Sequence, residues 1–513
     1  MTSSAGRVAS SSRTAAVRDA VADPRRLGVW AVVVGVLAVA TSAAGSWIPS
    51  LWGDEAASLM SATRPLSTLW PMLGYVDAVH GLYYLGLHAW VDVFGPSTFS
   101  IRFPSALAIG VCASAVVWLC GRFGSLRFAV LAGVFAALLP RLTYAGEEAR
   151  SYAFAAAFAA VACAILVEIA RREGRARGWW IAYAAVLTAG IWTFLYFALL
   201  VCALAVTVFC SAPLRQRWRA WAVSTAAGLA LASPLAWFGF LQRRQIAFIG
   251  ERDPLTAQGA LVEMWFQEWW FAVVAWALVV VAAVAFGIEI VRARRSGETF
   301  GLRLDTLAFS WTIVPMGLLI AASPFAPGYT ARYGTYSAPA VAIVLALAVR
   351  RLARLGRPRW LAAVAVVAVV AAAVPVVILQ RGPYAKNESD WNDIQARIQE
   401  NARPGDGIVF DDGARPSQRT RLAKETNPAA FRDTRDLLLR THYTTSYTWY
   451  DQTYGIPHAA ELGRFDGVSR VWVVELRFEG VEDTWGLDDL AALGFHETRR
   501  IDGAGSVILL YER

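Results

Sequence analysis

Asp54 and Glu55 are adjacent carboxylates in the stretch from Trp52 to Trp90, which also carries Asp77, His80, Tyr83 and Tyr84. A carboxylate beside a substrate hydroxyl is the kind of group that takes its proton. On a helix, neighbouring side chains diverge by about 100°, so the two acids cannot serve one proton and must have separate tasks. One would act as a general base; the other would hold a loop or a divalent cation. An acidic pair also stabilises a helix N-terminus, and the local sequence leaves both readings open. In YAGEEARSY (Tyr144 to Tyr152), helical spacing would put Glu147 and Arg150 on one face and Glu148 and Tyr152 on another. An arginine held in this way presents a planar fork suited to phosphate, although a Glu-Arg pair is often only a local support. In PFAPGYTARYGTY (Pro324 to Tyr336), Arg332 lies between Tyr329 and Tyr333, and Arg102 stands in a short RFPS motif. Arginine among aromatics suits either an anion site or an interfacial belt.

These residues must be positioned by membrane helices. The 513-residue chain is 57% hydrophobic and only 17% charged, with a mean hydropathy of +0.43, which excludes a soluble multidomain enzyme. Its net charge of +9 comes from arginines clustered between apolar runs, a topology signal and no sign of nucleic-acid binding. Eleven such runs begin near Gly28, Phe103, Phe128, Tyr152, Trp179, Phe197, Trp221, Phe271, Thr306, Tyr333 and Trp360. The first reads as an uncleaved anchor, with a cleavable signal peptide as the alternative. Alternate connections carry Arg122 and Arg127; Arg171, Arg172, Arg175 and Arg177; Arg215, Arg217 and Arg219; Arg292, Arg294 and Arg295; and Arg350, Arg351, Arg354, Arg357 and Arg359. The positive-inside rule then puts the N-terminus in the cytoplasm and the C-terminus outside. The acids and arginines of the candidate motifs all fall at the outer ends.

The expected organisation is a disordered cytoplasmic tail at 1–27, a transmembrane domain at 28–380 with a large first outer loop at 48–102, and a small extracytoplasmic α/β domain at 381–513. The last shows helical spacing over Ser389 to Asn401 and strand-like runs at Gly407 to Phe410, Val468 to Leu476 and Ser506 to Tyr511. The five cysteines all fall in apolar runs, so no disulfide framework or thiol metal site is expected. Glu168, Glu289 and Asp305 stand near the cytoplasmic ends of their runs, which weakens a transporter or flippase reading. MWFQEWW, beginning at Met264, reads as an interfacial segment that guides lipid or simply anchors the protein.

The chain resembles the GT-C superfamily of polytopic glycosyltransferases, in particular its protein O-mannosyltransferase-like and aminoarabinose-transferase-like members. The resemblance rests on the Asp54-Glu55 pair after the first span, DAVHGLYY (Asp77 to Tyr84), FGPS followed by Arg102-Phe103-Pro104-Ser105, EARSY (Glu148 to Tyr152), and the Arg332-Tyr333 turn. Gly81 and Leu82 replace the prolines usual after the histidine, and Glu147 stands where many relatives have glutamine. The resemblance implies an α-helical polytopic membrane protein that moves a sugar, mannose or a pentose, from a polyprenyl-phosphate donor to a glycan, lipid or protein hydroxyl on the outer face. In this scheme Asp54, with Glu55, is catalytic, and Arg102, Arg150 and Arg332 hold the donor phosphate. Asp77, His80, Tyr83, Tyr84, Glu148 and Tyr152 orient substrate. No particular cofactor is implied, and a divalent cation, if one is used, would be held by Asp54 or Glu55. The rival readings are a transporter or flippase and a non-catalytic assembly protein.

Overall fold

A computed structural model describes residues 22–174, 176–246, 249, 255–297, 301–325, 328–354, 360–478 and 480–513. Most of the expected tail, and Arg175, Arg357 and Arg359 of the basic connections, lie outside the described residues. The first helix, α1 (Pro24–Ala43), starts earlier than expected: Asp23 accepts a hydrogen bond from the backbone N–H of Arg25, and a proline opens the first turn.

Every one of the eleven apolar runs contains a helix. Among the described residues, eight helices are long and apolar enough to cross a membrane, or nine if the bent pair α6 (Leu126–Leu138) and α7 (Pro140–Gly146) counts as one. The protein is therefore a multi-pass membrane protein. The two runs that fall short of the expected eleven are Arg177–Thr193 and Leu195–Cys210, each only roughly 25 Å of helix against a hydrocarbon core of about 30 Å. The α6–α7 pair bends by 61° because Pro140 offers no N–H and pushes Leu139 to an extended conformation. Gln380 fills the break, donating to the Pro140 carbonyl at 2.9 Å.

The arginine-bearing connections gather at one end of the bundle. Arg171 donates to the Arg122 carbonyl, Arg217 to those of Ile169 and Arg172, and Arg350 to that of Phe123. The intramembrane acids are paired at this end too: Glu168 with Arg122, Glu289 with Arg303 and Arg351, and Asp305 with Arg351.

At the other end, the expected outer loop 48–102 is mostly helical: α2 (Gly53–Thr63), α3 (Leu66–Tyr75) and α4 (Gly81–Phe94), with α5 (Thr98–Gly121) already under way before its last residue. A run such as Leu66–Tyr75 is too short to cross the membrane. These helices instead bury their apolar faces against the C-terminal part: Leu59, Met60, Leu69 and Tyr84 share a core with Trp391, Ile394, Phe410 and Trp472. That part holds a sheet of order β2-β1-β5-β8-β7, with β6 added beside β5 and β3 paired to β4 separately. The strands are β1 (Asp406–Phe410), β2 (Thr434–Asp436), β3 (Leu439–Thr441), β4 (Gln452–Thr453), β5 (Arg470–Phe478), β6 (Val481–Glu482), β7 (His496–Asp502) and β8 (Ser506–Glu512). β1 runs parallel to β2 and β5; the remaining pairs are antiparallel. The second face of the sheet packs its own core, with Val409, Val471, Val473 and Leu509.

Gly53, the first residue of α2, lies against the C-terminal part so closely that a Cβ there would fall 2.0 Å from the Ser417 carbonyl oxygen. Gly53→Ala is expected to lower stability by about 1–3 kcal/mol through overpacking. Gly28→Ala, where a Cβ meets nothing within 4 Å, should be neutral. Thermal unfolding of the purified protein in detergent measures both.

Candidate active site

The helical period separates the Asp54 and Glu55 side chains. Glu55 points inward and is fully buried. Its two oxygens accept from Arg102 at 2.7 and 2.5 Å, and one also accepts the backbone N–H of Ala149 at 2.8 Å. Arg102 completes its bonding on the carbonyls of Ser46, Pro49 and Ser50 at 2.5–3.2 Å. Neither residue lines the cavity next to Asp54. This corrects the expectation of Arg102 as a phosphate ligand: its guanidinium is committed to holding α2, α5 and the 147–151 turn together.

Asp54 points the other way, into a cavity of about 780 Å³ that also takes in Asp77, His80, Glu148, Arg150, Tyr152 and Arg332. Asp54 Oδ2 accepts from Arg332 at 2.8 Å and lies 3.9 Å from Arg150 Nη2. Arg150 also donates to the Asp54 carbonyl at 3.3 Å and to His80 Nε2 at 3.1 Å. Burial and the Arg150 charge hold the His80 imidazole well below its ordinary value, so it stays neutral and accepts this bond. Arg332 lies 5.5 Å from the ring of Trp52. Asp77 adopts a left-handed conformation (φ 59°) and accepts from the Tyr84 hydroxyl at 3.1 Å. Tyr84 and Tyr83 themselves stand behind the cavity wall, not in it.

The expected Glu147–Arg150 pair does not form, because residues 147–151 make a turn between α7 and α8 (Tyr152–Arg171) instead of a helix. Each residue of that turn finds a different neighbour. Glu147 is buried against Arg381 at 3.2 Å and Lys386 at 3.3 Å. Glu148 lines the cavity, and its Oε1 has no hydrogen-bond partner among the described residues. Burial raises the Glu148 carboxyl.

Sequence reasoning missed several contributors. Arg141 lines the cavity while donating to the carbonyls of Glu263 and Met264. That contact explains why Met264, Trp265 and Phe266 are buried and not an interfacial surface; of their run, Trp269 is the exposed tryptophan. Gln242 and Gln245 accept from the backbone N–H groups of Ala78 and Asp77 and donate to the Leu73 and Tyr75 carbonyls, clamping the loop that carries His80. Tyr196, tilted, and Phe194, edge-on, pack against Tyr333 with ring centres 5.0 and 5.2 Å away, forming an aromatic wall. Arg415, Ser417, Trp449 and Tyr450 close the cavity from the C-terminal part. No local signal marks these residues, since each acts through partners distant in sequence.

A divalent cation at Asp54 or Glu55 does not fit this arrangement. Glu55 is saturated by Arg102 and Ala149, and Asp54 faces two guanidinium groups, which a cation would have to displace.

The sequence matches no protein-family model and no curated protein. In three dimensions the chain is similar to ArnT from Cupriavidus metallidurans bound to undecaprenyl phosphate, at 13% identity and a TM-score of 0.52, over 94% of this chain and 98% of that one. It is also similar to the Archaeoglobus fulgidus oligosaccharyltransferase tethered with an acceptor peptide, at 12% identity and a TM-score of 0.52, over 88% of this chain and 69% of that one.

The buried groups predict two outcomes. Glu55→Gln or Arg102→Gln alone should destabilise by about 3–5 kcal/mol, because each leaves a charge buried without its partner; the double variant should recover part of this in chemical unfolding. His80 takes a proton near pH 6.5 when unfolded but not when folded, so stability is lost as pH falls below about 6.5. Melting temperatures between about pH 7 and pH 5 should fall less steeply in His80→Gln.

Proposed function

We propose that this chain, which has the GT-C fold, is an inverting glycosyltransferase that uses a polyprenyl-phosphate sugar. The observation that carries the reading is Asp54 held between Arg150 and Arg332 at the edge of a cavity walled by apolar helices on one side and the C-terminal part on the other. ArnT, which shares the fold, is bound to undecaprenyl phosphate in its structure. A polyprenyl tail would stay in the bilayer while its phosphate and sugar enter the cavity at the outer interface, with the arginine-rich end of the bundle in the cytoplasm.

In this reading the acceptor hydroxyl attacks the anomeric carbon, Asp54 takes the hydroxyl proton, and the bond from that carbon to the phosphate oxygen breaks. The leaving phosphate gains charge as the bond breaks and is stabilised by fixed cations. Arg150 and Arg332 fill that role, and Arg141 is available on the same cavity. An incoming phosphate would compete for Arg332 and so loosen its bond to Asp54 at the moment the base is needed. Neutral His80 orients Arg150, Asp77 and Tyr84 support the loop behind it, and Glu148 and Tyr152 face the sugar. Mannose or a pentose is the donor sugar of first choice, and a glycan, lipid or protein hydroxyl the acceptor. The paired acids at the cytoplasmic end leave a flippase no unpaired intramembrane carboxylate among the described residues.

The test is incubation of purified protein with labelled polyprenyl-phosphate mannose and polyprenyl-phosphate arabinose, following transfer or hydrolysis. Asp54→Asn should reduce turnover by about 10²–10⁴ with the melting temperature preserved. Turnover near that of the unaltered protein would remove Asp54 as the base, and flipping in vesicles without transfer would replace the enzyme reading.

A further inference from the structure

The C-terminal sheet holds a second group of acids, whose chemistry is independent of the transfer reading. From β1 the chain passes to β2 on one side and later to β5 on the other, so the strand order reverses at the β1–β5 pair. Open α/β sheets bind ligands outside the carboxyl ends of their strands at such a reversal. Asp411 follows the last residue of β1, and Glu475 follows Val474, the β5 residue opposite Phe410. Asp483 comes in from the end of β6, and one carboxylate oxygen from each acid lies within 4.8 Å of the others.

Glu475 is 1% exposed, and neither of its oxygens has a hydrogen-bond partner among the described residues. No ion pair among the described residues involves any of the three acids. A carboxylate in that position must bind a proton or a cation. Asp411 is held by the backbone N–H groups of Gly413, Ala414 and Leu476 at 2.8–3.3 Å, the kind of outer contact that orients a metal ligand. Gly413 keeps the space open: a Cβ there would lie 3.1 Å from Asp483 Oδ2 and 3.3 Å from Asp411 Oδ1. Burial and the two neighbouring acids push the Glu475 carboxyl up to about 9. The other acidic group in this part, Glu425 with His442 and Asp451, contrasts with it, because Lys424 and His442 already pair with Glu425 at 3.1 and 3.2 Å.

We propose that Asp411, Glu475 and Asp483 bind one hard divalent cation of the calcium type. An all-oxygen donor set selects such ions, and calcium's bonds of about 2.3–2.6 Å allow ligand oxygens to stand up to roughly 5 Å apart. The segment after Asp411 supplies Arg415, Pro416 and Ser417 to the cavity, and the Ser417 carbonyl touches Gly53 beside Asp54. A cation at Asp411 would thus fix the loop that closes the cavity over α2.

Terbium(III), a luminescent stand-in for calcium, tests this on the full chain in detergent, because Trp485 lies at the site, 3.1 Å from the same Gly413 Cβ position, and can sensitise it. Tryptophan excitation should give terbium emission that calcium displaces. Glu475→Gln and Asp483→Asn should each weaken binding by about 10-fold or more, while Glu400→Gln on an exposed helix leaves it unchanged. If Glu475→Gln fails to fold, Asp483→Asn at the open side carries the test alone. The absence of calcium-displaceable emission in the unaltered protein, or unchanged affinity in the folded variants, would overturn the proposal and leave a proton as the ion that neutralises Glu475.

Discussion

The buried pair of Glu55 and Arg102 is the constraint on which the site depends. Arg102 is wholly enclosed, and its donors end on Glu55 and on three carbonyls of the segment between α1 and α2. Glu55 in turn accepts the Ala149 N–H, so α2, α5 and the 147–151 turn are fixed at one point. Removing both charges from water is costly, and the geometry must be good to offset it. The hydrogen bonds around this pair supply that geometry. Because Glu55 is anchored inward, the residue before it on the same helix must face elsewhere, and Asp54 enters the cavity as a direct result.

The same economy of position runs through the turn. Residues 147 to 150 alternate between support and site: Glu147 holds the C-terminal linker, Glu148 faces the cavity, the Ala149 backbone N–H donates to Glu55, and Arg150 reaches Asp54 and His80. A helix could not do this, since its side chains at these spacings would point along one another's faces and its N–H groups would be used internally. The break between α7 and α8 therefore has a purpose that neither helix has alone. It lets consecutive residues address separate parts of the protein.

Much of this was legible in the sequence, and the parts that were not have a common cause. Apolar runs and arginine clusters identified the helices and the end at which the chemistry gathers, because those signals are local and repeated. The divergence of Asp54 and Glu55 followed from the helical period alone. Arg102 and Arg332 could not be told apart in this way: both are arginines among aromatics near a helix end, and only packing decides which is consumed by a buried acid and which borders a cavity. The Glu147–Arg150 pairing presumed a helix where the chain makes a turn. The glutamine clamps from Gln242 and Gln245 act across more than 160 residues, and nothing in their local sequence points to the loop they hold. The two short helices that follow α2 in the first outer segment, α3 and α4, were invisible for a related reason, since their apolar faces are matched to a core completed by the last quarter of the chain.

The Glu147–Lys386 contact has a consequence for how the protein is made. The lysine is synthesised about 240 residues after the acid it neutralises, and at roughly 5–20 residues per second the ribosome needs tens of seconds to supply it. Until then α7 and α8 must be inserted with their turn incomplete, Glu147 either protonated or in contact with water. The two halves of the cleft consequently cannot mature in the order of translation. The early helices wait for the last apolar helix to emerge, so a ribosome stalled before Lys386 would leave an inserted bundle whose cavity end is still unassembled.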